Sequence, residues 1–351
     1  MRLVFCLLAL GASAQEARLD DVLELMEKRT RGVQDLKVTI VTRAERAIGL
    51  PHSQVTVAWV RDAGLRVRGR FQPEADGRNF GLRLPRGIDV IYTADRIRLI
   101  QDWDDRPGMG GLAFQALAIR TDDPAFKSHD PMLLPTSGYP IRMMVDEPIV
   151  YAQMAPRLML GMEPNLALEG KRMEGSRSCF VLVSSPAPRD PKLPRPGYFV
   201  QSRRKQFFVD AQSGSLVKIR WELSFSINLG GAGLNEQRMV FQSEVQGEQN
   251  VVGGFSLPES IRWSARLEGR GMGGGGDLVR GIAPGRVNAG LAPAGILTAA
   301  EKDDLYGDAV LRRAEDYEAM VRKDPGDAEA HYALAQCRGA VDPLPAMVPG
   351  G

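Results

Sequence analysis

The feature that most constrains this chain is a long run in which apolar and polar residues alternate. From Val217 to Ile227 every second residue is aliphatic or aromatic, and the residues between them are Lys, Arg, Glu or Ser. A period of two places the apolar residues on one face of a β-strand and the polar residues on the other. In a helix the same spacing would not place the apolar residues along one side. The run therefore predicts a strand that covers a core with one face.

The same alternation recurs along most of the chain. It is found at 38–40, 55–59, 65–71, 88–92, 96–103, 206–210, 239–245 and 261–267. The residues Ala211 to Gly214 join two of these segments and have the composition of a hairpin turn, with a glycine available for a positive φ. About ten short strands with short connections predict a large, mainly antiparallel sheet or open barrel rather than a βαβ fold.

Three segments interrupt the strand pattern. Residues 16–33 have apolar residues at helical spacing and predict one amphipathic helix that ends near Gly32. Residues 107–120 and 147–162 are predicted to be short apolar helices or lid-like loops, the second broken near Pro156. The expected fold class is mainly β, of the α+β type, with helices that plug or cover the sheet.

The first 14 residues have the features of an export signal. Arg2 precedes an apolar run, and the small residues up to Ala14 suit cleavage after that position, so the mature chain would begin at Gln15. We therefore expect an exported, periplasmic protein; a short buried N-terminal helix is the alternative. No later segment reaches the roughly 18 consecutive apolar residues of a membrane-spanning helix.

The composition changes after residue 268, which divides the mature chain into further predicted units. Residues 15–268 are expected to form the β domain, and 269–297, rich in Gly and Pro, a flexible linker. A phosphate-binding glycine loop is the alternative, but it would need a following Lys-Ser/Thr and helix. Residues 298–340 resemble a tetratricopeptide helix pair meeting at Asp324-Pro325-Gly326-Asp327, and 341–351 are expected to be a disordered tail.

Charge and residue types favour binding over catalysis. The chain has 45 Lys and Arg against 43 Asp and Glu, a balance that argues against a nucleic-acid partner. Its three histidines are scattered, and neither Ser-Gly pair at 137–138 or 213–214 has the glycine of a nucleophile elbow. We expect a protein that is not an enzyme, with no catalytic residue, no metal ion and no cofactor.

A cluster of methionines points to a hydrophobic ligand. Six of the 14 methionines lie between 143 and 173, and methionine adapts to apolar partners of varied shape. The predicted cavity-lining residues combine this cluster with aromatic and aliphatic residues of the strands and lids: Trp59, Phe114, Leu117, Met154, Leu158, Met159 and Trp221. The alternative is that these side chains are plain core.

Several strand and turn patterns carry a family resemblance. Phe207 to Val217, Gly253 to Ile261 and Gly175 to Val183, together with the opening amphipathic helix, resemble the outer-membrane lipoprotein-sorting (LolA/LolB-like) superfamily over 16–268. The resemblance implies an unclosed barrel, a curved antiparallel sheet around helices that plug an apolar cavity. In carrier members that cavity takes up lipoprotein acyl chains in the periplasm, and other relatives sense envelope stress. The Pro-rich segment 184–197 and the Arg-rich strands depart from the carriers.

These observations predict a periplasmic carrier or envelope sensor that binds lipid or lipoprotein acyl chains. The alternative is a scaffold that binds a protein partner through its C-terminal helices. Arg66, Arg68 and Arg70 share one strand face, which suits either a peripheral contact with anionic membrane headgroups or a solvated surface balanced by acids.

Overall fold

The computed structural model describes residues 17–42, 53–71, 87–94, 96–102, 114–120, 147–185, 198–228, 234–252, 255–269, 272–292, 315, 317–326, 331 and 334. The helices that pack on the sheet are α1 (Leu19–Arg29), α2 (Pro148–Met154) and α3 (Pro156–Gly161). The strands are β1 (Asp35–Thr42), β2 (Ser53–Val60), β3 (Gly64–Phe71), β4 (Gly87–Tyr92), β5 (Arg96–Asp102), β6 (Phe114–Arg120), β7 (Ala167–Glu174), β8 (Arg177–Ser184), β9 (Tyr198–Asp210), β10 (Leu216–Asn228), β11 (Leu234–Val252), β12 (Phe255–Gly269) and β13 (Met272–Val287).

All thirteen strands belong to one antiparallel sheet. Strands β1 to β6 form one meander and β7 to β13 a second, and the two meanders join where β13 pairs with β1. Strands β6 and β7 lie at the two ends of the strand order, so the sheet is not closed. The predicted fold class, a mainly β antiparallel architecture with a few helices, is confirmed.

The three helices pack on one face of this sheet, called the inner face here. Alternate residues of β1 to β4 and of β8 to β13 meet α1, α2 and α3 in one core cluster. Helix α1 contributes Val22, Leu23 and Met26 to it. Acidic residues in its first turn and basic residues in its last turn favour this helix through the helix dipole. The predicted amphipathic helix is therefore confirmed, with its end at Arg29.

The predicted break at Pro156 is also confirmed. Ala155 has φ −133° and ψ 68°, outside the helical region, and it separates α2 from α3. Proline has no backbone N–H and its ring disfavours a helical conformation of the preceding residue. The segment 148–161 therefore forms two short helices rather than one.

The predicted linker at 269–297 is wrong over most of its length. Residues 272–287 form β13, which pairs with β12 on one side and with β1 on the other. Residues 272–281, which include the glycine run, pair with β12, and residues 280–287 pair with β1, so the strand is held by backbone hydrogen bonds and needs little apolar area of its own. The boundary placed at 268 therefore falls inside the sheet.

The predicted helix or lid at 107–120 is wrong for its second half. Residues 114–120, which include the predicted site residues Phe114 and Leu117, form strand β6 in register with β5. A short apolar run fits a helix or a strand equally well by period alone, and here pairing with β5 decides. Residues 107–113 lie outside the described part of the chain.

Most of the residues on which the predictions for the two termini depend lie outside the described part of the chain. Residues 1–14 and 341–351 lie outside the described residues. Towards the C-terminus the described residues support one short helix, 317–323, and further helical positions at 331 and 334, but no stacked helix pair. None of the helices among the described residues has the length and apolar character needed to cross a membrane.

Two of the arginines that share one face of β3 are paired with an acidic residue of β4. Arg66 is buried and donates to both carboxylate oxygens of Asp89 on β4, with its Nε 2.9 Å from Oδ1. Arg68 Nε lies 3.4 Å from Oδ2 of the same carboxylate. The ion pair between Arg66 and Asp89 therefore holds β3 and β4 together.

Candidate functional site

A cleft of about 540 Å³ opens between three parts of the fold. It lies among the C-terminal end of α1, the turn between β2 and β3, and the α2–α3 pair. Its lining residues are Glu27, Thr30, Trp59, Arg61, Asp62, Ala63, Gly64, Ala94, Met154, Ala155, Pro156, Arg157, Leu158, Gly161 and Met162. The volume is within the usual range of small-molecule sites, about 300 to 1,000 Å³.

One part of the cleft wall is apolar, and the rest carries polar and charged residues. Trp59, on β2, and Met154, the last residue of α2, are buried, whereas Leu158 and Met162, on α3 and at its end, are half-buried. The two half-buried side chains present apolar area that a ligand can cover. Methionine and leucine from a short helix can repack around ligands of different shape.

The turn between β2 and β3 is held rigidly. Arg61 donates from its Nε to Val33 O at 3.1 Å and also to Thr30 O, and its guanidinium lies 5.4 Å from the centroid of the Trp59 ring. Gly64 has φ 149°, and a Cβ there would come within 2.5 Å of Tyr92 O. Arg61 therefore fastens the turn to the chain that follows α1, and Gly64 allows β3 to lie close against β4.

The rim of the cleft carries charges of both signs. Arg157 Nε lies 2.8 Å from Glu27 Oε2, and Arg157 Nη1 lies 3.6 Å from Asp20 Oδ1, which joins α3 to α1. The hydrogen bond to Glu27, reinforced by the carboxylate charge, raises the pKa of Arg157. These side chains are largely exposed, so the ion pairs hold α3 only weakly.

The structure brings only some of the predicted cavity residues together. Trp59, Met154 and Leu158 line the cleft, and Met159 packs half-buried against the core. Trp221 lies elsewhere on the inner face, beside Phe241. For Phe114 and Leu117 the strand is described, but the side chains are not. Contact of any of these residues with a ligand remains a prediction.

Sequence reasoning missed the charged residues of the site. Glu27 and Arg157 look like ordinary surface residues, and Arg61 looks like the polar start of a turn. Their pairing depends on contacts across 130 residues for Arg157–Glu27 and 28 residues for Arg61–Val33. Met162 was signalled by the methionine cluster, although it was not among the predicted lining residues.

The arrangement suits an amphipathic ligand. An apolar wall accepts a hydrocarbon chain, and a rim with both charges accepts a polar end. Within the described residues, no group of three or more His, Cys, Asp or Glu side chains is placed to hold a metal ion.

No family model matches this chain, and no curated protein matches it. Solved structures of similar shape include a domain from Vibrio parahaemolyticus described as outer membrane lipoprotein-sorting, with 11% identity, 78% of this chain and 95% of that chain covered, and a TM-score of 0.36. A LolA superfamily protein from Nitrosomonas europaea has 12% identity, coverage of 77% and 93%, and a TM-score of 0.38. The Mycobacterium tuberculosis lipoprotein LppX has 12% identity, coverage of 57% and 86%, and a TM-score of 0.22.

Two of these structures carry the name of the superfamily that the strand and turn patterns resemble. At TM-scores below 0.5 and identities near 12%, the likeness carries no argument about the ligand. The function has to be argued from the cleft itself.

Proposed function

We propose that the protein binds a hydrophobic ligand, a lipid or the acyl chains of a lipoprotein, in the cleft between α1, the β2–β3 turn and α3. It would do so in the periplasm, as a carrier or an envelope sensor. The observation that carries this proposal is the cleft of about 540 Å³, with an apolar wall and a charged rim.

The apolar wall supplies the affinity in this proposal. Each methylene group removed from water contributes about 0.8 kcal/mol, so an acyl chain gains binding free energy along its length. Leu158 and Met162 are half-buried without ligand and would become fully buried against the chain. The methionine allows more than one chain shape to fit.

In this proposal the ligand enters the cleft by an outward movement of α3. Helix α3 buries only Pro156 and Leu160, and its Arg157 ion pairs to α1 are largely exposed. No sheet pairing involves α3, so it can move outwards without breaking strand hydrogen bonds. Entry under α3 therefore costs less than entry through the sheet.

A fluorescence titration with N-phenyl-1-naphthylamine, an apolar probe, tests the proposal. We expect Met162→Glu to weaken probe binding by about tenfold or more, because an ionised carboxylate is placed against the bound hydrocarbon. The matched control is Met173→Glu on β7, where the methionine is 64% exposed and is not among the residues that line the cleft. It should bind like wild type.

Two results would contradict the proposal. One is equal probe affinity for Met162→Glu and wild type, with both folded by circular dichroism. The other is an absence of bound lipid in native mass spectra of protein purified from its own envelope. Transfer of a fluorescent acyl lipid between vesicles would distinguish a carrier, which accelerates transfer, from a sensor, which does not.

A further inference from the structure

We propose a second ligand subsite on the inner face, formed by Trp221, Lys205 and the glycine run of β13, that receives the carbonyl group of a fatty acyl ligand. This inference rests on the proposed function, because it assigns the position of the acyl carbonyl group of the same ligand. It uses the one predicted tryptophan that the structure places away from the cleft.

An aromatic stack forms the wall of this subsite. Trp221 on β10 and Phe241 on β11 are register partners, with ring centroids 5.2 Å apart, and Trp263 on β12 lies 5.8 Å from Phe241. Trp221 and Phe241 are buried, whereas Trp263 is half-buried. The stack therefore exposes part of its apolar surface at Trp263.

The polar group of the stack lacks an acceptor. Trp221 Nε1 is buried and has no hydrogen-bond partner among the described residues. Indole N–H is a donor only, and a buried donor without an acceptor is unfavourable. A ligand oxygen that accepts this hydrogen bond would remove the penalty.

The neighbouring charges select a neutral acceptor. Lys205 Nζ lies 5.5 Å from the centroid of the Trp221 ring and 2.7 Å from Glu163 Oε1. The side chains of Lys205 and Glu163 are both nearly buried. The lysine charge is thus already balanced by a carboxylate. An ester or amide carbonyl suits a site beside this pair, whereas a free carboxylate would be buried with no unbalanced positive charge to offset the cost.

Glycines of β13 lie on the same face of the sheet as the stack. The register places Gly276 opposite Ala265, which is itself opposite Phe241, so these positions share the face of Trp221. Gly274 lies opposite Leu267 on the same face. Glycine inside a strand weakens it and often marks a place where a ligand approaches the backbone closely. Here an acyl chain could lie directly on β13.

Neighbouring residues at the end of α3 take part in both the cleft and the subsite. Met162 lines the cleft, and the next residue, Glu163, holds Lys205 beside Trp221. One ligand could therefore place its chain in the cleft and its carbonyl at Trp221.

The test measures displacement of N-phenyl-1-naphthylamine by methyl palmitate, palmitate and hexadecane. Trp221→Phe removes the N–H and keeps a ring, so we expect about fivefold weaker binding of methyl palmitate and unchanged binding of hexadecane. The control is Trp263→Phe, the same change in the same stack. It should change the binding of methyl palmitate and of hexadecane to the same extent. In wild type, methyl palmitate should bind more tightly than palmitate, which separates the ester from the free acid.

A second measurement needs no variant. In 15N-labelled wild-type protein, one of the four tryptophan indole N–H signals should shift strongly with methyl palmitate and little with hexadecane. Equal losses of both ligands in Trp221→Phe, or no ester-specific indole shift, would overturn the subsite. If hexadecane also fails to bind wild type, the proposed function itself has failed. If hexadecane binds and Met162→Glu blocks it, only the carbonyl subsite is wrong.

Discussion

Helices α2 and α3 are neighbours in the chain and differ sharply in how they are held. Every residue of α2 from Ile149 to Met154 is buried, whereas α3 buries only Pro156 and Leu160. The same inner face thus carries one helix that is part of the core and one that covers a cleft.

The polar contacts of the two helices show the same contrast. Glu147, the residue before α2, pairs with Arg280 of β13 at 3.1 Å, with side chains that are 0% and 1% exposed. Gln153 Nε2 donates to Leu216 O at 2.9 Å. The Arg157 ion pairs of α3 face solvent, where they contribute little. Helix α2 therefore contributes to the stability of the core, whereas α3 is held weakly beside the cleft.

The largest effect is expected from breaking the buried pair of α2. Arg280→Met removes the guanidinium that balances Glu147, and we expect a loss of about 3–5 kcal/mol in the free energy of unfolding, measured by urea denaturation. The double variant Glu147→Leu/Arg280→Met removes both charges and should regain most of that loss. Equal stabilities of the single and double variants would show that the buried charge is not the cause.

A pair of alanine substitutions compares the packing of the two helices directly. Ile149→Ala, in α2, should cost about 2–5 kcal/mol because it leaves a cavity in the core. Leu158→Ala, in α3, should cost less than about 1.5 kcal/mol because its side chain is only half-buried. Urea unfolding of both variants checks this, and similar losses would mean that α3 is as much a part of the core as α2.

The smallest effect is expected at the rim. Arg157→Gln should lower overall stability by less than about 1 kcal/mol. Amide exchange at Met159, which bonds Ala155 O, should speed up by at most about fivefold, while exchange at Ala155, which bonds Tyr151 O, stays unchanged. High salt should make wild type exchange like the variant. Faster exchange at both amides would contradict separate anchoring of the helices.

Local patterns predicted the parts of the fold that depend on neighbouring residues. The turn before β10 is one such part: Gly214 has φ 71°, and a Cβ there would lie 2.7 Å from Leu25 O. The break before α3 is another, since it follows from the chemistry of Pro156 alone. Local patterns did not predict the charged residues of the cleft. Arg61, Glu27 and Arg157 reach their partners only after distant segments of the chain pack together.

By itself the sequence determined the strand periodicity, the amphipathic α1, the two short helices around Pro156 and the apolar character of Trp59, Met154 and Leu158. Only the tertiary structure decided that residues 272–287 are a strand and that 114–120 belong to the sheet, because both depend on pairing with other strands. Pairing of Leu36 with Val287 joins the first and the last strand of the sheet in chain order. The backbone hydrogen bonds that make β13 a strand come from partners whose position no local pattern contains.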